Sequence, residues 1–337
     1  MTDQTTQSVA PARARPGTLL PPAEVAAVAG QVLDRVGTAV VGHAGVLRLA
    51  LATVLAGGHV LFEDVPGTGK TLTAATMAST LGLDFRRIQC TPDLLPADVT
   101  GSFVYDPGTS GFTFTPGPVF TGLLLADEIN RTTPKTQSAL LEAMQERQVT
   151  VEGRTFPLPR PFHVLATANP VEFEGTYPLP EAQLDRFLAR LSFGYPSAVD
   201  EAEVLTRRIA RRRERIEVDA VVDADQLLAL QAGVEAVDVD PDVVSYCVRL
   251  AAATRTHTAV DIGASPRGSA ALVLLARALA VLDARDFVVP EDVKAVAVPA
   301  LAHRLTLRAE TWSSGVSAEA VVAQLLGQVP APASARR

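Results

Sequence analysis

The chain has few of the residues on which several common kinds of protein depend. Only two of its 337 residues are cysteines, Cys90 and Cys247, and they are not spaced as a C-x-x-C pair. This spacing excludes a disulfide framework and a cysteine zinc site, and it fits a reducing compartment such as the cytoplasm. The five histidines are scattered without the spacing of metal ligands. No G-x-S-x-G elbow or paired His/Cys arrangement indicates another kind of active site.

The sequence also lacks a long apolar run and an excess of basic residues. Although 47% of the residues are hydrophobic, no apolar stretch approaches the roughly 18 residues that a membrane span requires. Residues 1–22 lack the apolar segment and cleavage site of a signal peptide, so we expect a disordered leader there. The net charge of −7 argues against a nucleic-acid-coating protein, because neutralising phosphates requires a net basic face. We therefore expect a cytoplasmic protein that does not insert into membranes.

Apolar segments of strand length alternate with helical patterns in the first part of the chain. The strand-like segments are residues 59–63, 122–126 and 163–167, and the helical patterns cover residues 23–36, 44–56, 70–81 and 135–148. Apolar strands separated by helices indicate a parallel sheet that is covered on both faces. The pattern predicts an α/β domain over residues 23–195.

After residue 195 the pattern becomes almost entirely helical. The predicted helices cover residues 199–216, 241–255, 268–283, 290–303 and 317–326. Pro241 and Pro290 stand at two of the helix starts, where proline is well tolerated. The sequence therefore predicts a helical domain over residues 196–329 and a flexible tail over residues 330–337.

A glycine loop joins the first predicted strand to the next helix. Residues 61–71 read Leu-Phe-Glu-Asp-Val-Pro-Gly-Thr-Gly-Lys-Thr. In such a loop, backbone N–H groups and the helix N-terminus converge on the β- and γ-phosphates of a nucleotide. Lys70 would neutralise phosphate charge and the Thr71 hydroxyl would ligate Mg²⁺. The strict pattern has glycine at the position of Asp64, and the loop alone leaves open a simple glycine turn capped by a lysine.

Polar side chains follow the other two predicted strands. Asp127 and Glu128 end one apolar strand, and Asn169 follows the other. Ligands bind at the carboxyl ends of the strands in this type of sheet. Asp127 would hold the hydrated Mg²⁺ on Thr71, and Glu128 would accept a proton from an attacking water. The Asn169 amide could orient the same water, although an Asn-Pro pair after a strand is usually only a turn.

Taken together, these motifs resemble those of the MoxR family of AAA+ ATPases, over nearly the whole chain outside its two tails. Residues 63–71 are similar to the Walker A loop of the family. Residues 127–131, with the helix at 135–146, are similar to its Walker B strand and the following helix. Residues 166–170 resemble sensor 1, and residues 180–187 resemble the arginine-finger segment. The resemblance implies a P-loop AAA+ core, with a parallel sheet and helices on both faces, and a C-terminal all-α lid domain.

The resemblance also implies roles for individual residues. The ATP-binding residues would be Val41, Gly42, Asp64, Val65, Pro66, Gly67, Thr68, Gly69, Lys70, Thr71 and Leu72, and the catalytic residues Glu128, Asn169, Arg186 and Arg267. ATP and Mg²⁺ are the implied cofactors, with Thr71 and Asp127 as the metal ligands. Val41 and Gly42 stand where related ATPases contact adenine, although His43 replaces the usual glutamine. Arg267 begins the sensor 2 helix, and whether it serves its own subunit or a neighbour stays open.

Two further segments resemble hairpin insertions of this clade. Residues 98–120 place glycines among aromatic residues and are similar to the hairpin that interrupts helix 2. Residues 148–161, with a Glu-Gly-Arg turn, are similar to the hairpin before sensor 1. The turn residues favour hairpins independently of the family. In rings of such ATPases these hairpins are expected to face the pore or a partner, and ordinary surface hairpins are the alternative.

The resemblance implies a homo-oligomer, a hexameric ring, in which ATP hydrolysis drives chaperone-like remodelling or maturation of a protein client. A partner with a von Willebrand factor A domain is implied in the same way. The alternatives are a chelatase-like or DNA-acting motor, or a nucleotide-gated scaffold with little turnover. A scaffold does not require Glu128, Asn169 and Arg186, so the presence of these residues argues against that alternative. A metabolic kinase fits least, because no small-acceptor site is visible.

The arginines between residues 207 and 215 are a candidate site for nucleic-acid binding. They interleave with glutamates at positions 201, 203, 214 and 217. Opposite charges at these spacings are typical of a solvated helix face. We therefore expect nucleic acid not to be a partner.

Overall fold

The structure is a computed structural model, and it describes residues 20–65, 67–108, 110–169, 176–212, 216–310 and 315–333. The first part of the chain contains α1 (Pro22–Ala39), α2 (Ala44–Leu55), β1 (Val60–Glu63), α3 (Lys70–Thr80), β2 (Phe85–Gln89), α4 (Pro96–Thr100), β3 (Gly101–Asp106), β4 (Gly111–Pro116), β5 (Leu123–Asp127), α5 (Pro134–Glu146), β6 (Gln148–Val151), β7 (Arg154–Pro157), β8 (His163–Ala168), α6 (Glu181–Leu184) and β9 (Ala189–Leu191). The second part contains α7 (Ala198–Arg211), α8 (Ala224–Glu235), α9 (Pro241–Thr256), β10 (Val260–Ile262), α10 (Pro266–Leu282), α11 (Pro290–Leu301), β11 (Thr306–Leu307) and α12 (Ala318–Gln328).

Five strands form a parallel sheet in the order β2-β5-β8-β1-β9. The register places Gln89 opposite Asp127 and Glu63 opposite Ala168. The carboxyl ends of β1, β5 and β8 therefore meet at one edge of the sheet. The loops that follow these three strands are brought together at that edge.

Both faces of the sheet are buried, as the uninterrupted apolar strands predicted. Along β5, Leu123 and Leu125 join a cluster with α1, α2 and α3, whereas Leu124 and Ala126 join a second cluster with α4 and α5. Successive side chains of a strand point to opposite faces, so both faces of an apolar strand are covered by helices. The predicted α/β fold class with helices on both faces is confirmed.

The helical part packs directly onto the α/β part. Helix α10 lies against α9 and α11 and also against α1 and α2. Buried side chains of both parts form one continuous apolar cluster, so the predicted division at residue 195 stays a prediction. A short antiparallel pair, β10 with β11, interrupts the otherwise helical part. The predicted leader and tail lie mostly outside the described residues.

Two antiparallel hairpins project from the α/β part, as predicted. The first pairs β3 with β4 directly after α4, and the second pairs β6 with β7. Glu152 and Gly153 both have positive φ, which is the conformation that a two-residue hairpin turn requires. The rings of Phe114 and Phe156 stack with centroids 3.9 Å apart. The two hairpins therefore support each other through aromatic contact.

Some predicted elements differ from the structure. The helix predicted over residues 199–216 ends at Arg211, because Arg212 adopts a left-handed conformation with φ 54°. Strand β2 and helix α8 were not predicted. The sequence of β2, Phe-Arg-Arg-Ile-Gln, has exposed charges and one buried side chain, because β2 is the outer strand of the sheet.

Among the described residues, no helix combines the length and apolarity that crossing a membrane demands.

Two buried histidines connect the amino-terminal ends of β1 and β8. His59 accepts a hydrogen bond from Val164 N at 2.9 Å, and its Nε2 donates to Met144 O at 3.1 Å. His163 Nδ1 donates to Gly58 O at 2.9 Å. Burial, with the neighbouring histidine as a smaller cause, lowers the pKa of His59 from 6.5 to about 3, and burial lowers the pKa of His163 to about 4. Both rings are therefore neutral in the folded chain at neutral pH.

We predict that the free energy of unfolding falls as the pH drops below 6.5. The unfolded chain binds a proton on each histidine below its ordinary pKa of 6.5, whereas the folded chain resists until about pH 4 for His163 and about pH 3 for His59. This stabilisation is present above pH 6.5, and at pH 5.5 the loss is about 1.4 kcal/mol per histidine. Urea unfolding at pH 7.5 and 5.5 measures it. His163→Gln should reduce the pH dependence, and the partly exposed His257 provides the control, His257→Gln. An equal pH dependence in all three proteins would contradict the assignment.

Candidate functional site

The glycine loop between β1 and α3 has the geometry of a phosphate cradle. Gly67 and Gly69 have φ of 82° and 90°, a region that only glycine adopts readily. Lys70 is the first residue of α3, and its Nζ donates to Asp64 O at 2.7 Å and to Val65 O at 3.2 Å. The ammonium group therefore lies inside the curve of the loop, beside the N-terminus of α3.

Asp127, at the end of β5, is fixed by several donors. Its Oδ1 accepts from Thr167 Oγ1 at 2.6 Å, and its Oδ2 lies 3.4 Å from Thr71 Oγ1. A hydroxyl and a carboxylate oxygen side by side are the hard ligands that Mg²⁺ prefers, and Mg²⁺ sites usually contain only one or two carboxylates. Among the described residues no group of three or more His, Cys, Asp or Glu side chains could hold a metal.

Glu128 has a conformation that is unusual for a non-glycine residue. Its φ is 57°, and its backbone N–H donates to Thr167 Oγ1 at 2.8 Å. Gln89 Nε2 donates to Glu128 Oε2 at 2.9 Å, and Arg131 Nε lies 3.2 Å from the same oxygen. The carboxylate is therefore held at the carboxyl edge of the sheet, and its strained backbone directs it there.

These side chains line one cavity of about 370 Å³. The lining residues are Gly67, Gly69, Lys70, Thr71, Leu72, Asp127, Glu128, Thr167 and Asn169. Asn169 is 5% exposed and stands at the end of β8. Burial lowers the pKa of Lys70, while the carboxylates of Asp64, Asp127 and Glu128 act in the opposite direction. The predicted phosphate, metal and water-directing groups thus meet in one place.

Three residues at the cavity, Arg87, Gln89 and the lining residue Thr167, were not predicted as site residues. Arg87, on β2, donates to Asp127 Oδ2 from Nη2 at 2.6 Å and from Nε at 3.1 Å. Gln89 contacts Glu128, and Thr167 bridges Asp127 to the Glu128 backbone. Recognising β2 as the strand paired with β5 would have indicated Arg87 and Gln89, because Gln89 lies directly opposite Asp127.

The side chain of Asp64 faces away from the cavity. Its Oδ2 accepts from Phe193 N and Gly194 N, both at 2.6 Å, and its Oδ1 accepts from Val65 N at 2.7 Å. The residue is 7% exposed. The Asp64 carboxylate therefore anchors the chain after β9 to the glycine loop. The Asp64 backbone carbonyl accepts from Lys70, and the predicted contact of Asp64 with nucleotide stays a prediction.

Val41 and Gly42 lie outside the cavity lining, in the turn between α1 and α2. Gly42 has φ 72°, and a Cβ there would lie 3.0 Å from the Asp200 carboxyl group. The His43 ring meets Phe193 edge-on with centroids 5.2 Å apart. The predicted adenine contact at Val41 and Gly42 stays a prediction.

Three further predicted ATP-binding residues of the glycine loop are not in the cavity lining. Val65 and Thr68 lie outside it, and Pro66 lies outside the described residues.

Arg186 and Arg267 line a different cavity, of about 310 Å³, together with Gly58, His59 and Arg304. His59, in the lining of this cavity, comes just before β1, and the glycine loop comes just after β1. At about 3.3 Å per residue, the stretch from His59 to the loop spans about 16 Å and separates the two cavities. Arg267 Nη1 lies 4.0 Å from Asp185 Oδ2, and the Arg267 side chain is 52% exposed. The structure therefore places both predicted catalytic arginines near the amino-terminal end of β1. The phosphate cavity of the same chain lies at the carboxyl-terminal end of that strand.

Comparison with known proteins places the chain among ATPases. Residues 59–189 match the family model described as "ATPase family associated with various cellular activities (AAA)", and residues 252–325 match the AAA lid domain. The chain is 48% identical to the uncharacterized protein YeaC of Bacillus subtilis over 90% of this chain and 94% of the relative. It is 43% identical to Chaperone MoxR1 of Mycobacterium tuberculosis over 87% of this chain and 79% of the relative. A crystal structure of a candidate ATPase from Cytophaga hutchinsonii superposes with a TM-score of 0.86 at 40% identity, covering 93% and 97% of the two chains.

We predict that Asp64→Ala lowers stability and leaves nucleotide affinity unchanged in the folded protein. The substitution leaves the buried N–H group of Phe193 and the half-buried N–H groups of Val65 and Gly194 without their acceptor, and an unsatisfied buried group costs about 1–3 kcal/mol. A loss of about 3 kcal/mol in the free energy of unfolding is expected. Urea unfolding and nucleotide titration measure the two effects, with the exposed Asp84→Ala as control. Unchanged stability with lost nucleotide binding would show that the carboxylate contacts nucleotide.

Proposed function

Because this chain belongs to the MoxR family of AAA+ ATPases, we propose that it hydrolyses ATP in a ring of identical subunits. The energy is used to remodel or mature a protein client. The AAA+ core and the C-terminal lid of the family are both present. The observation that carries the proposal is the single cavity in which the glycine loop, two carboxylates and an asparagine meet.

The phosphate loop binds the triphosphate. Lys70 and the N-terminus of α3 face the same side of the loop, so positive charge and N–H donors converge there. Thr71 and Asp127 are the residues that would hold Mg²⁺, since their oxygens lie 3.4 Å apart at the cavity wall. When bound, the ion supplies neutralisation of charge on the β- and γ-phosphates.

Glu128 and Asn169 act on the attacking water. The Glu128 carboxylate accepts a proton as the water oxygen bonds to the γ-phosphorus and the bond to the β-phosphate oxygen breaks, which releases ADP and phosphate. Asn169 orients the water through its amide. The loop after Glu128 is held by the fully buried Gln137, whose Nε2 lies 3.1–3.2 Å from the carbonyl oxygens of Ile129, Thr132 and Tyr177. Asn130 adds a hydrogen bond to Asn169 O at 3.1 Å.

Arg186 and Arg267 act on the nucleotide of a neighbouring subunit. Within one chain they lie about 16 Å of strand away from the phosphate cavity, a span no arginine side chain bridges past the intervening sheet. In a ring, the edge that bears Arg186 in one subunit faces the phosphate cavity of the next. Each complete site then combines Lys70, Asp127 and Glu128 from one chain with two arginines from another. A hexamer is the ring that we propose.

The surface that we propose to bind the protein client is formed by the two hairpins, β3–β4 and β6–β7. Tyr105 and Phe112 are 52% and 70% exposed on the first hairpin, and exposed aromatic groups mark surfaces that bind other proteins. A protein client fits the name of the relative Chaperone MoxR1.

We propose that the partner contains a von Willebrand factor A domain and that the protein is located in the cytoplasm. Arg207 of the arginine-rich helix donates to Glu203 and to the carbonyl of Gly37, which supports our proposal that nucleic acid is not a partner.

We predict that Lys70→Ala abolishes nucleotide binding, whereas Glu128→Gln keeps binding and loses hydrolysis. Lys70 contacts phosphate in the ground state, while Glu128 acts on the water, an effect of about 10²–10⁴ in rate. Nucleotide titration and steady-state turnover of the two variants test this difference. Wild-type turnover in Glu128→Gln would remove Glu128 from the mechanism.

We further predict that Arg186→Ala binds ATP and assembles but loses about 10³–10⁵ in turnover. Mixing it with Lys70→Ala should restore activity, because the Lys70→Ala chain supplies Arg186 to a neighbour whose phosphate loop is intact. The reference is each variant alone, with subunit exchange checked by mass spectrometry. If exchange occurs and the mixture stays inactive, the shared site is wrong.

A further inference from the structure

The buried guanidinium of Arg304 contacts both residues that flank Arg186. Its Nε donates to Asp185 Oδ1 at 2.7 Å, and its Nη2 donates to Phe187 O at 2.8 Å and to Asp185 O at 3.3 Å. Arg304 is 7% exposed and follows α11 in the helical part of the chain. One side chain of the lid therefore fixes the backbone on either side of the predicted arginine finger.

The Asp185 carboxylate is held at its second oxygen as well. Ser265 Oγ, at the start of α10, donates to Asp185 Oδ2 at 2.9 Å. Both oxygens of Asp185 thus contact the lid, one through Arg304 and one through Ser265. The short segment that carries Arg186 is connected to the lid on two sides.

The chemistry of arginine suits this position. A planar guanidinium presents several donors in a fixed fork, which a lysine ammonium cannot reproduce. A buried charge is retained at low cost only when it is paired and fully hydrogen-bonded, and Nη1 of Arg304 also donates to Ala300 O. Arg186 Nε is buried and has no hydrogen-bond partner among the described residues. No hydrogen bond from Nε to a described residue holds the Arg186 side chain, so the restraint that we consider is the backbone, which Arg304 contacts on both sides.

We propose that Arg304 is a positioning residue for Arg186, so that the lid of one subunit sets the catalytic geometry at its neighbour's nucleotide. The inference rests on the proposed function, in which Arg186 acts across the subunit interface. A displacement of the lid moves Arg304 and Ser265 together, and through Asp185 it moves the finger. A misplacement of about 1 Å in such a group can cost about 10²-fold in rate.

The experiment compares Arg304→Lys with Arg285→Lys. Arg285 is a matched control, because it makes a two-point contact with Asp292 at 2.6 and 2.8 Å inside the lid, away from Arg186. Thermal unfolding, ring assembly and ATP turnover are measured for both. Arg304→Lys is expected to assemble and to lose about 10²-fold in kcat with KM for ATP unchanged, whereas Arg285→Lys keeps wild-type kcat. An equal loss of kcat in both variants would overturn the proposal.

Complementation then separates positioning of the finger from a structural role. Arg304→Lys mixed with Lys70→Ala should regain activity, because the Lys70→Ala chain supplies a correctly held finger. Mixed with Arg186→Ala it should stay inactive, since no interface then has a working finger. If Arg304→Lys does not fold, the milder Asp185→Asn takes its place and should fall in the same complementation class.

Two results would contradict the proposal in distinguishable ways. If Arg186→Ala is rescued by Lys70→Ala but Arg304→Lys or Asp185→Asn is not, Arg304 does not act through the finger, and the proposed function stands. If Arg186→Ala itself is not rescued, the shared site fails and the positioning role fails with it.

Discussion

Three buried parallel strands, β5, β8 and β1, lie side by side, and their pairing determines where the groups of the phosphate cavity stand. The register brings their carboxyl ends to one edge, so the glycine loop, the Asp127-Glu128 pair and Asn169 meet although up to about a hundred residues separate them in sequence. Burial of both sheet faces makes a slip of register costly, because a one-residue slip would exchange the side chains that pack into the two apolar clusters. The chemistry of the site therefore depends on the apolar strands.

The same strands also separate the two halves of the proposed site. Their carboxyl ends bear the phosphate cavity, while His59 and His163 at their amino ends border the region that carries Arg186 and Arg267. A rigid sheet keeps these halves apart within one chain and allows them to meet only between chains. The lid adds a second constraint, because Arg304 and Ser265 hold the finger segment. In the proposed ring, these contacts would physically connect binding at one site to movement of the next subunit's lid.

Much of this arrangement could be predicted from sequence where local pattern and chemistry agree. The glycine loop, the strand ending in Asp127 and the hairpin turn at Gly153 each carry their own signal. The functional orientation of Asp64 could not be predicted, because its partners Phe193 and Gly194 are distant in sequence. Arg87 and Gln89 were missed since an exposed edge strand lacks an apolar pattern. Arg304 carries no motif, and only the packing of the lid onto the finger segment brings it to Asp185.

The central claim is that one chain holds only part of each catalytic site. The most direct measurement is ATP turnover per chain across a dilution series, with the mass distribution of the protein recorded at each concentration. The account predicts that turnover per chain falls with the fraction of assembled protein and that the monomer binds ATP without hydrolysing it at an appreciable rate. A monomer that retains the full turnover per chain would contradict it.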